Sequence, residues 1–262
     1  MPNPLAVIYI TAMQEIILNK DYKYVYNKDL ELWWPHYKGI PFPRKPKNLF
    51  KYYALNLNNI AALYQNYFWL SNPSDFNDPF DCNINLIEFE EKPEWSKRGN
   101  NHGNVGVCCF TESINDPTLW AFYTNYNGFV LEFNPEKTTV GLNVEERTWS
   151  LNPVMYFDEL IKVKNTEHYA MEYLLTAKLN KWKNENEWRF VTTVNEESDR
   201  IVQYKPHSVK ALYIGHKIPD EQLSVYNLIF DIFIEKYPKA EIYVVFPNPQ
   251  GLELVFEKVW PD

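Results

Sequence analysis

The sequence predicts an α+β protein in which mixed or antiparallel twisted sheets carry flanking helices. Short runs of β-branched and aromatic residues recur along the chain, as at residues 105–111 and 209–215, and they alternate with segments of helical spacing such as residues 220–236. No internal repeat or low-complexity linker separates these runs. We therefore predict a single α+β domain of about eight strands at residues 49–262, preceded by an N-terminal segment at residues 1–48.

The N-terminal segment is predicted to be a helix followed by an extended arm. Apolar residues at helical spacing favour a helix over residues 4–19. Residues 21–48 are rich in aromatic residues and proline, and that density of proline predicts no regular structure. The arm either lies on the body of the protein or docks a partner.

The body is predicted from apolar periodicity and from turn and capping residues, taken in chain order. Asn56 or Asn58 caps a helix that ends at residue 65, and Asp116 caps a helix that runs to residue 123. A third helix is predicted at residues 166–182 and a fourth at residues 220–236. Strands are predicted at residues 50–55, 67–71, 83–89, 105–111, 129–133, two within 140–164, one from 185, and at 209–215, 242–246 and 252–260.

The strand predicted to begin at residue 185 carries three charged side chains on one face. A period of two places Glu185, Glu187 and Arg189 together. Like charges two residues apart repel, so these carboxylates are either balanced on a solvated face by Arg189 or gathered in a site.

The loop at residues 72–81 is dense in Asn, Asp and Pro, which fix local backbone conformation. It is either a rigid turn or a surface that recognises a sugar or an amide. We predict that its F-N-D-P-F-D segment, residues 76–81, lies beside Glu185 and Glu187 around one cleft.

Composition bounds the function classes. The net charge of -8 argues against a protein whose affinity comes from wrapping phosphate backbones. Three cysteines without C-x-x-C spacing indicate a reducing compartment, and five scattered histidines give no metal-ligand spacing. The first residues lack the pattern of a signal peptide, and no apolar run reaches transmembrane length, so we expect a cytoplasmic protein without membrane partners.

Four ordered motifs within residues 48–216 resemble a widespread bacterial domain family of unknown function with the signature F-N-D-P-F-D/E. The matching segments are W-L-S-N-P at 69–73 with F-N-D-P-F-D at 76–81, C-F-T-E at 109–112 with Asp116, Trp120 and Tyr123, G-F-V-L-E-F at 128–133, and Lys178, Trp182, Glu185, Glu187 and Arg189.

The order of these elements is also similar to the core of the ADP-ribosyltransferases. That resemblance implies NAD as a substrate, no metal, an unknown macromolecular acceptor and a role as a toxin or phage-defence effector. It implies that Glu187 bonds the ribose 2′-hydroxyl, that Glu185 orients the acceptor, and that Thr111 or Ser113 takes the central position. Lys51, Tyr52 and Tyr53 compete for the first-strand position. The candidate cofactor contacts are Tyr52, Ser71, Asn77, Asp78, Phe110, Thr111, Trp120, Tyr123 and Arg189.

A carboxylate suits this chemistry because cleavage of the nicotinamide–ribose bond builds positive charge on the sugar. Two other functions compete with it. The chain is alternatively a non-catalytic module in which the loop with Asn77 and Asp78 and the helix with Trp120 and Tyr123 bind a ligand or partner, and the two glutamates form a salt-bridged strand face. The third interpretation is a metal-dependent nuclease that uses Asp78, Asp81 and Glu187.

Overall fold

A computed structural model describes residues 15–28, 32–91, 104–138, 149–166 and 169–261. The chain divides into two compact units, residues 1–43 and residues 44–262. The division falls before the boundary at residue 48 that the sequence predicts. In the described ranges, no helix has the length and apolar character needed to cross a membrane.

The N-terminal unit contains a four-stranded antiparallel sheet in the order β1-β2-β3-β4. Its strands are β1 (Glu15–Ile17), β2 (Tyr22–Asn27), β3 (Leu32–Tyr37) and β4 (Ile40–Pro41). The prediction of a helix was therefore wrong for residues 15–17, and the start of that helix lies outside the described residues. The prediction of an irregular arm was also wrong.

The sheet accommodates Pro35, which has no backbone N–H, because a neighbouring side chain donates the hydrogen bond that this N–H would have made. The Pro35 carbonyl accepts the backbone N–H of Phe42 at 3.0 Å. An ordinary residue at position 35 would return an N–H to the Phe42 carbonyl. That carbonyl instead accepts the indole N–H of Trp34 at 2.8 Å, so it keeps a hydrogen-bond partner.

The second unit carries fourteen of the described strands, numbered on from the first four. They are β5 (Leu49–Tyr53), β6 (Tyr67–Trp69), β7 (Ile87–Glu88), β8 (Val105–Thr111), β9 (Phe129–Phe133), β10 (Trp149–Pro153), β11 (Met155–Phe157), β12 (Val163–Lys164), β13 (Ala177–Leu179), β14 (Glu187–Thr193), β15 (Ile201–Gln203), β16 (Val209–Gly215), β17 (Glu241–Pro247) and β18 (Leu254–Trp260).

Its described α-helices are α1 (Leu57–Gln65), α2 (Pro117–Leu119), α3 (Pro135–Thr138), α4 (Ala170–Thr176) and α5 (Leu223–Lys236). Helix α2 continues as a π-helical turn, Trp120–Thr124. Short 3₁₀ turns occur at Pro73–Asp75, Ile84–Leu86, Asn180–Glu185, Glu197–Arg200, Pro206–Ser208 and Asp220–Gln222.

Eight strands form the main sheet in the order β10-β14-β8-β5-β9-β16-β17-β18. Neighbouring strands are antiparallel except β16 and β17, which are parallel and joined through α5. Strands β5 and β8 pair only at Phe50 and Thr111. The sheet therefore opens between them, and Ser71 fills part of the gap by bridging Val107 of β8. The mixed α+β class predicted from sequence is confirmed.

The core lies on both faces of this sheet. Helices α1 and α5 cover one face, where Leu63 and Phe233 pack among aromatic residues of the strands. Trp120 and Val130 belong to a second cluster. Asn56 caps α1 as predicted, because its side chain accepts the N–H of Asn59 at 2.9 Å.

The sequence mispredicted the segment that leads into β14. Helix α4 ends at Thr176 instead of residue 182, and the chain then pairs as β13 with β11. A 3₁₀ turn follows, and Asn186 adopts a left-handed φ of 42°. The strand predicted from residue 185 therefore begins at Glu187. The strand predicted at 83–89 is reduced to β7 by a preceding 3₁₀ turn.

Candidate functional site

A cavity of about 320 Å³ opens where β5 and β8 diverge. Strand β14, the loop at residues 72–81 and the segment from β13 to Glu185 complete its walls. The lining residues are Phe50, Lys51, Tyr52, Ser71, Asp75, Phe76, Asn77, Asp81, Val107, Cys109, Phe110, Thr111, Leu119, Tyr123, Lys178, Glu185, Glu187 and Arg189.

The floor of the cavity is built on Arg189, which is completely buried. Its two terminal nitrogens donate to the two carboxylate oxygens of Asp81 at 2.9 and 2.6 Å. Nε and one terminal nitrogen donate to Glu187 at 2.8 and 3.1 Å. The Leu175 carbonyl accepts a further bond at 2.8 Å. All the bonding directions of the guanidinium group are thus used inside the protein.

Lys178 joins the second glutamate to this group. Its Nζ donates to Glu187 at 2.9 Å and to Glu185 at 2.5 Å, and it lies 3.5 Å from Asp81. Burial opposes the charge on Lys178, but the surrounding carboxylates raise its pKa above the usual value overall. We call Asp81, Lys178, Glu185, Glu187 and Arg189 the ion cluster.

The ion cluster has three carboxylates and two cations, and its two glutamates differ. Burial disfavours the charge of Glu187, but Arg189 and Lys178 outweigh it and lower its pKa. The pKa of Glu185 is raised, first by burial and then by the charge of Glu187. Glu187 is therefore the glutamate whose charged form is favoured, while the surroundings of Glu185 favour its protonated form more than water does.

Tyr123 reaches the cluster from the π-helical turn. Its hydroxyl donates to Glu185 at 2.8 Å. Burial raises the pKa of Tyr123, so the phenol keeps its proton and acts as a donor. Thr111 fixes the backbone of Glu185, because its hydroxyl donates to the Glu185 carbonyl. A π-helical turn at this place is consistent with a functional site.

The loop at residues 72–81 lies beside the Glu185 and Glu187 segment, as predicted. Asn72 fixes its first turn by accepting the N–H of Ser74 at 3.0 Å. At its other end Asp81 is held by Arg189. The predicted single cleft is therefore present.

No family model, curated protein or solved structure matches this chain. The resemblance to the F-N-D-P-F-D/E family and to the ADP-ribosyltransferases remains a prediction.

Nine of the predicted site residues line the cavity: Tyr52, Ser71, Asn77, Phe110, Thr111, Tyr123, Glu185, Glu187 and Arg189. Asp78 and Trp120 do not. Asp78 is buried and accepts the indole N–H of Trp182 at 2.5 Å and the N–H of Phe80 at 3.0 Å. Trp120 is buried beneath Tyr52 and donates to the Ile114 carbonyl at 2.7 Å. Both residues support the walls instead of forming them.

Three lining residues of chemical interest are absent from the predicted catalytic and cofactor contacts, although Lys51 was a candidate for the first-strand position and Asp81 belonged to the nuclease interpretation. Lys178 is central to the ion cluster, and Asp81 pairs with Arg189. Lys51 reaches into the gap between β5 and β8, with Nζ 3.4 Å from the Cys109 carbonyl. Lys178 and Asp81 both stand in the matched motifs, and this was the signal that could have identified them.

The carboxylates of the nuclease interpretation are committed to other partners. Asp78 bonds Trp182, whereas Asp81 and Glu187 both bond Arg189. Within the described ranges, no group of three His, Cys, Asp or Glu side chains is arranged to hold a metal ion.

Proposed function

We propose that this chain is an ADP-ribosyltransferase-like enzyme that binds NAD in the cavity and cleaves the nicotinamide–ribose bond. The observation that supports it is the row formed by Phe50, Thr111 and Glu187. Thr111 of β8 is directly opposite Phe50 of β5 on one side and Glu187 of β14 on the other. These are the three strands to which the resemblance assigns the first, central and glutamate positions, and all three residues line one cavity.

Glu187 has the properties that the reaction requires of an anion. Its lowered pKa keeps it ionised, so its charge can stabilise the positive sugar that forms as nicotinamide leaves. A carboxylate offers about four lone-pair directions. Arg189 and Lys178 occupy three of them, which fixes the group, and a ribose hydroxyl would replace the Cys109 thiol at the fourth.

Glu185 is suited to the acceptor side. In the transfer, nicotinamide leaves with the electron pair of its bond to the ribose, and an acceptor oxygen or nitrogen forms the new bond and releases a proton. Glu185 receives that proton. Its raised pKa makes it a better base near neutral pH than an ordinary carboxylate, and Tyr123 holds one of its oxygens.

The test is nicotinamide release from NAD, with cell extract as the source of acceptor. Glu187→Gln keeps the size of the side chain but removes its charge, so release should fall ~100-fold or more. Glu187 is buried, so this change also affects stability. The matched control is Glu132→Gln, which alters another buried carboxylate of the same sheet. Glu132 lies opposite Phe50 on the neighbouring strand, but its carboxylate is bonded to Lys210 and Tyr213 and does not line the cavity.

Glu132→Gln should retain wild-type release when both variants are assayed well below their melting temperatures. No release by the wild type in any extract would overturn the proposal. Full release by folded Glu187→Gln would overturn the role of Glu187.

The non-catalytic module remains the second candidate because one observation favours it. Asp81, Glu187, Lys178 and Arg189 satisfy one another without a ligand, as a structural ion cluster does. A module of this kind would be stabilised by NAD or ADP-ribose in a thermal melt and would release no nicotinamide.

A further inference from the structure

A patch of aromatic side chains lies exposed beside the ion cluster. Phe122 is 67% exposed and Phe80 55%. The ring of Phe122 meets that of Trp182 edge-on at 6.1 Å. Lys181 joins the patch, with Nζ 5.7 Å from the centre of Phe80 and 5.4 Å from that of Trp182. We call Phe80, Phe122, Lys181 and Trp182 the rim.

The rim is continuous with the cavity. Phe122 precedes Tyr123, which lines the cavity and bonds Glu185. The ring of Trp182 lies 5.4 Å from Nζ of Lys178, another lining residue. The indole N–H of Trp182 is held by Asp78, so the plane of the ring is fixed. A ligand that emerges from the cavity would meet these rings directly.

The rim combines aromatic faces with a positive charge. Single exposed apolar residues are ordinary, but a group of large aromatic side chains next to a concave site marks a binding surface. Lys181 keeps 54% of its side chain exposed, and its Nζ is 3.8 Å from Asp78. Stacking surfaces with a nearby cation are what nucleotide bases and their phosphates require.

The size of the cavity indicates which part of a ligand reaches the rim. Its volume of about 320 Å³ is at the lower end of the ~300–1,000 Å³ typical of ligand sites. A dinucleotide consists of two nucleotides joined through their phosphates. A cavity of this size holds one of them and leaves the other outside the mouth.

We propose that the rim is the adenine-binding platform for the NAD-type ligand, with the adenine ring stacked on Phe122 and bordered by the Trp182 ring, which is inclined at 66° to that of Phe122, and with the diphosphate facing Lys181. The proposal rests on the proposed function, since it places the nicotinamide half beside Glu187 inside the cavity. A protein partner that docks on the same aromatic rings is the competing occupant.

The test compares two fragments of NAD: ADP-ribose, which contains the adenine but no nicotinamide, and nicotinamide mononucleotide, which contains the nicotinamide but no adenine. Calorimetry measures binding of ADP-ribose and of nicotinamide mononucleotide to the wild type and to Phe122→Ala. ADP-ribose should bind Phe122→Ala ~10-fold more weakly, the loss expected for one base–aromatic stack. Nicotinamide mononucleotide should bind both proteins equally. Phe122→Trp should restore ADP-ribose binding.

The matched control is Tyr64→Ala, which truncates an aromatic residue of α1 that is 53% exposed. It should leave both affinities unchanged. Equal weakening of both probes by Phe122→Ala, unchanged ADP-ribose binding, or no ADP-ribose binding by the wild type would overturn the platform.

These outcomes are separable from failure of the proposed function because ADP-ribose binding requires no bond cleavage. ADP-ribose binding that depends on Phe122, without nicotinamide release, would retain the platform and refute the transferase. Nicotinamide release together with ADP-ribose binding that Phe122→Ala leaves unchanged would retain the transferase and refute the platform.

Discussion

Arg189→Met tests whether the ion cluster holds the fold together. Methionine keeps an unbranched chain of similar length but removes the guanidinium group. Asp81 then loses both of its bonds to that group, and Glu187 loses two of its three bonds to cations. One cation, Lys178, remains for three buried carboxylates.

The expected cost follows from burial. Removing one partner of a buried ion pair typically destabilises a protein by ~3–5 kcal/mol, because the remaining charge is uncompensated. For a chain of this size each kcal/mol lowers the melting temperature by roughly 2–4 °C, so a drop of roughly 6–20 °C is expected.

The cost should also depend on pH. In the wild type the pKa of Glu187 is lowered, so its contribution to stability is present near neutral pH and is lost only as the pH falls into the acid range. In Arg189→Met the unpaired buried carboxylates should have raised pKa values, and such groups stabilise the fold only when protonated. The deficit relative to the wild type should therefore grow from about pH 5 to about pH 8.

Denaturant unfolding of the wild type and of Arg189→Met at about pH 5 and about pH 8 measures this deficit in the free energy of unfolding. The matched control is Arg200→Met. Arg200 pairs at 3.3 Å with Glu197, whose side chain is 78% exposed, and donates to the Leu70 carbonyl at 2.9 Å, so its removal leaves no buried charge unpaired. That change should cost about 1–3 kcal/mol, chiefly for the lost bond to the carbonyl, and show little pH dependence. If Arg189→Met cost less than about 1 kcal/mol, the cluster would not be the buried network described above.

Two further changes test the local geometry. Burial and then the charge of Glu187 raise the pKa of Glu185, so Glu185 stabilises the fold at low pH and this contribution is lost as pH rises through the raised value. Glu185→Gln should accordingly cost more stability at about pH 5 than at about pH 8, as measured by denaturant unfolding; the opposite trend would contradict the assigned direction. Gly215→Ala would place a methyl group 2.2 Å from the Tyr126 carbonyl oxygen, and should cost about 1–3 kcal/mol in a thermal melt. Gly251→Ala, whose nearest neighbour is a side-chain nitrogen at 3.0 Å in an exposed turn, should stay within about 0.5 kcal/mol, and equal losses would refute the argument.

The strands that the sequence predicted with correct bounds carry their own signals. Val105–Thr111, Phe129–Phe133 and Val209–Gly215 are apolar runs bounded by polar or glycine residues, and each lies inside the main sheet. Their structure follows from local composition because burial on both faces requires a nearly continuous apolar run.

The elements that were mispredicted depend on distant partners. Helical spacing at residues 170–175 extends toward residue 182, and nothing local ends the helix at Thr176. The chain leaves the helix because β13 pairs with β11, a contact that spacing does not encode. Pro35 is a similar case, since the indole of Trp34 supplies the missing donor.

The candidate site was predictable only in part for the same reason. The shared face of Glu187 and Arg189 follows from strand periodicity, and their direct bonds bear it out. Lys178 was assigned to a helix, so its place between the two glutamates could not be predicted. Trp120 illustrates the opposite error, because a buried aromatic residue that supports a wall resembles one that lines it.

The pKa values of Glu185 and Glu187 shift in opposite directions because only Glu187 lies on β14 with Arg189. Arg189 stands two residues after Glu187 on β14, so strand alternation brings its guanidinium to Glu187, while the left-handed turn at Asn186 carries Glu185 away from it. Glu185 therefore accepts a bond from Lys178, as Glu187 does, but receives none from Arg189, and its pKa stays raised. Two carboxylates with opposed pKa shifts in one cavity are what acid–base chemistry uses.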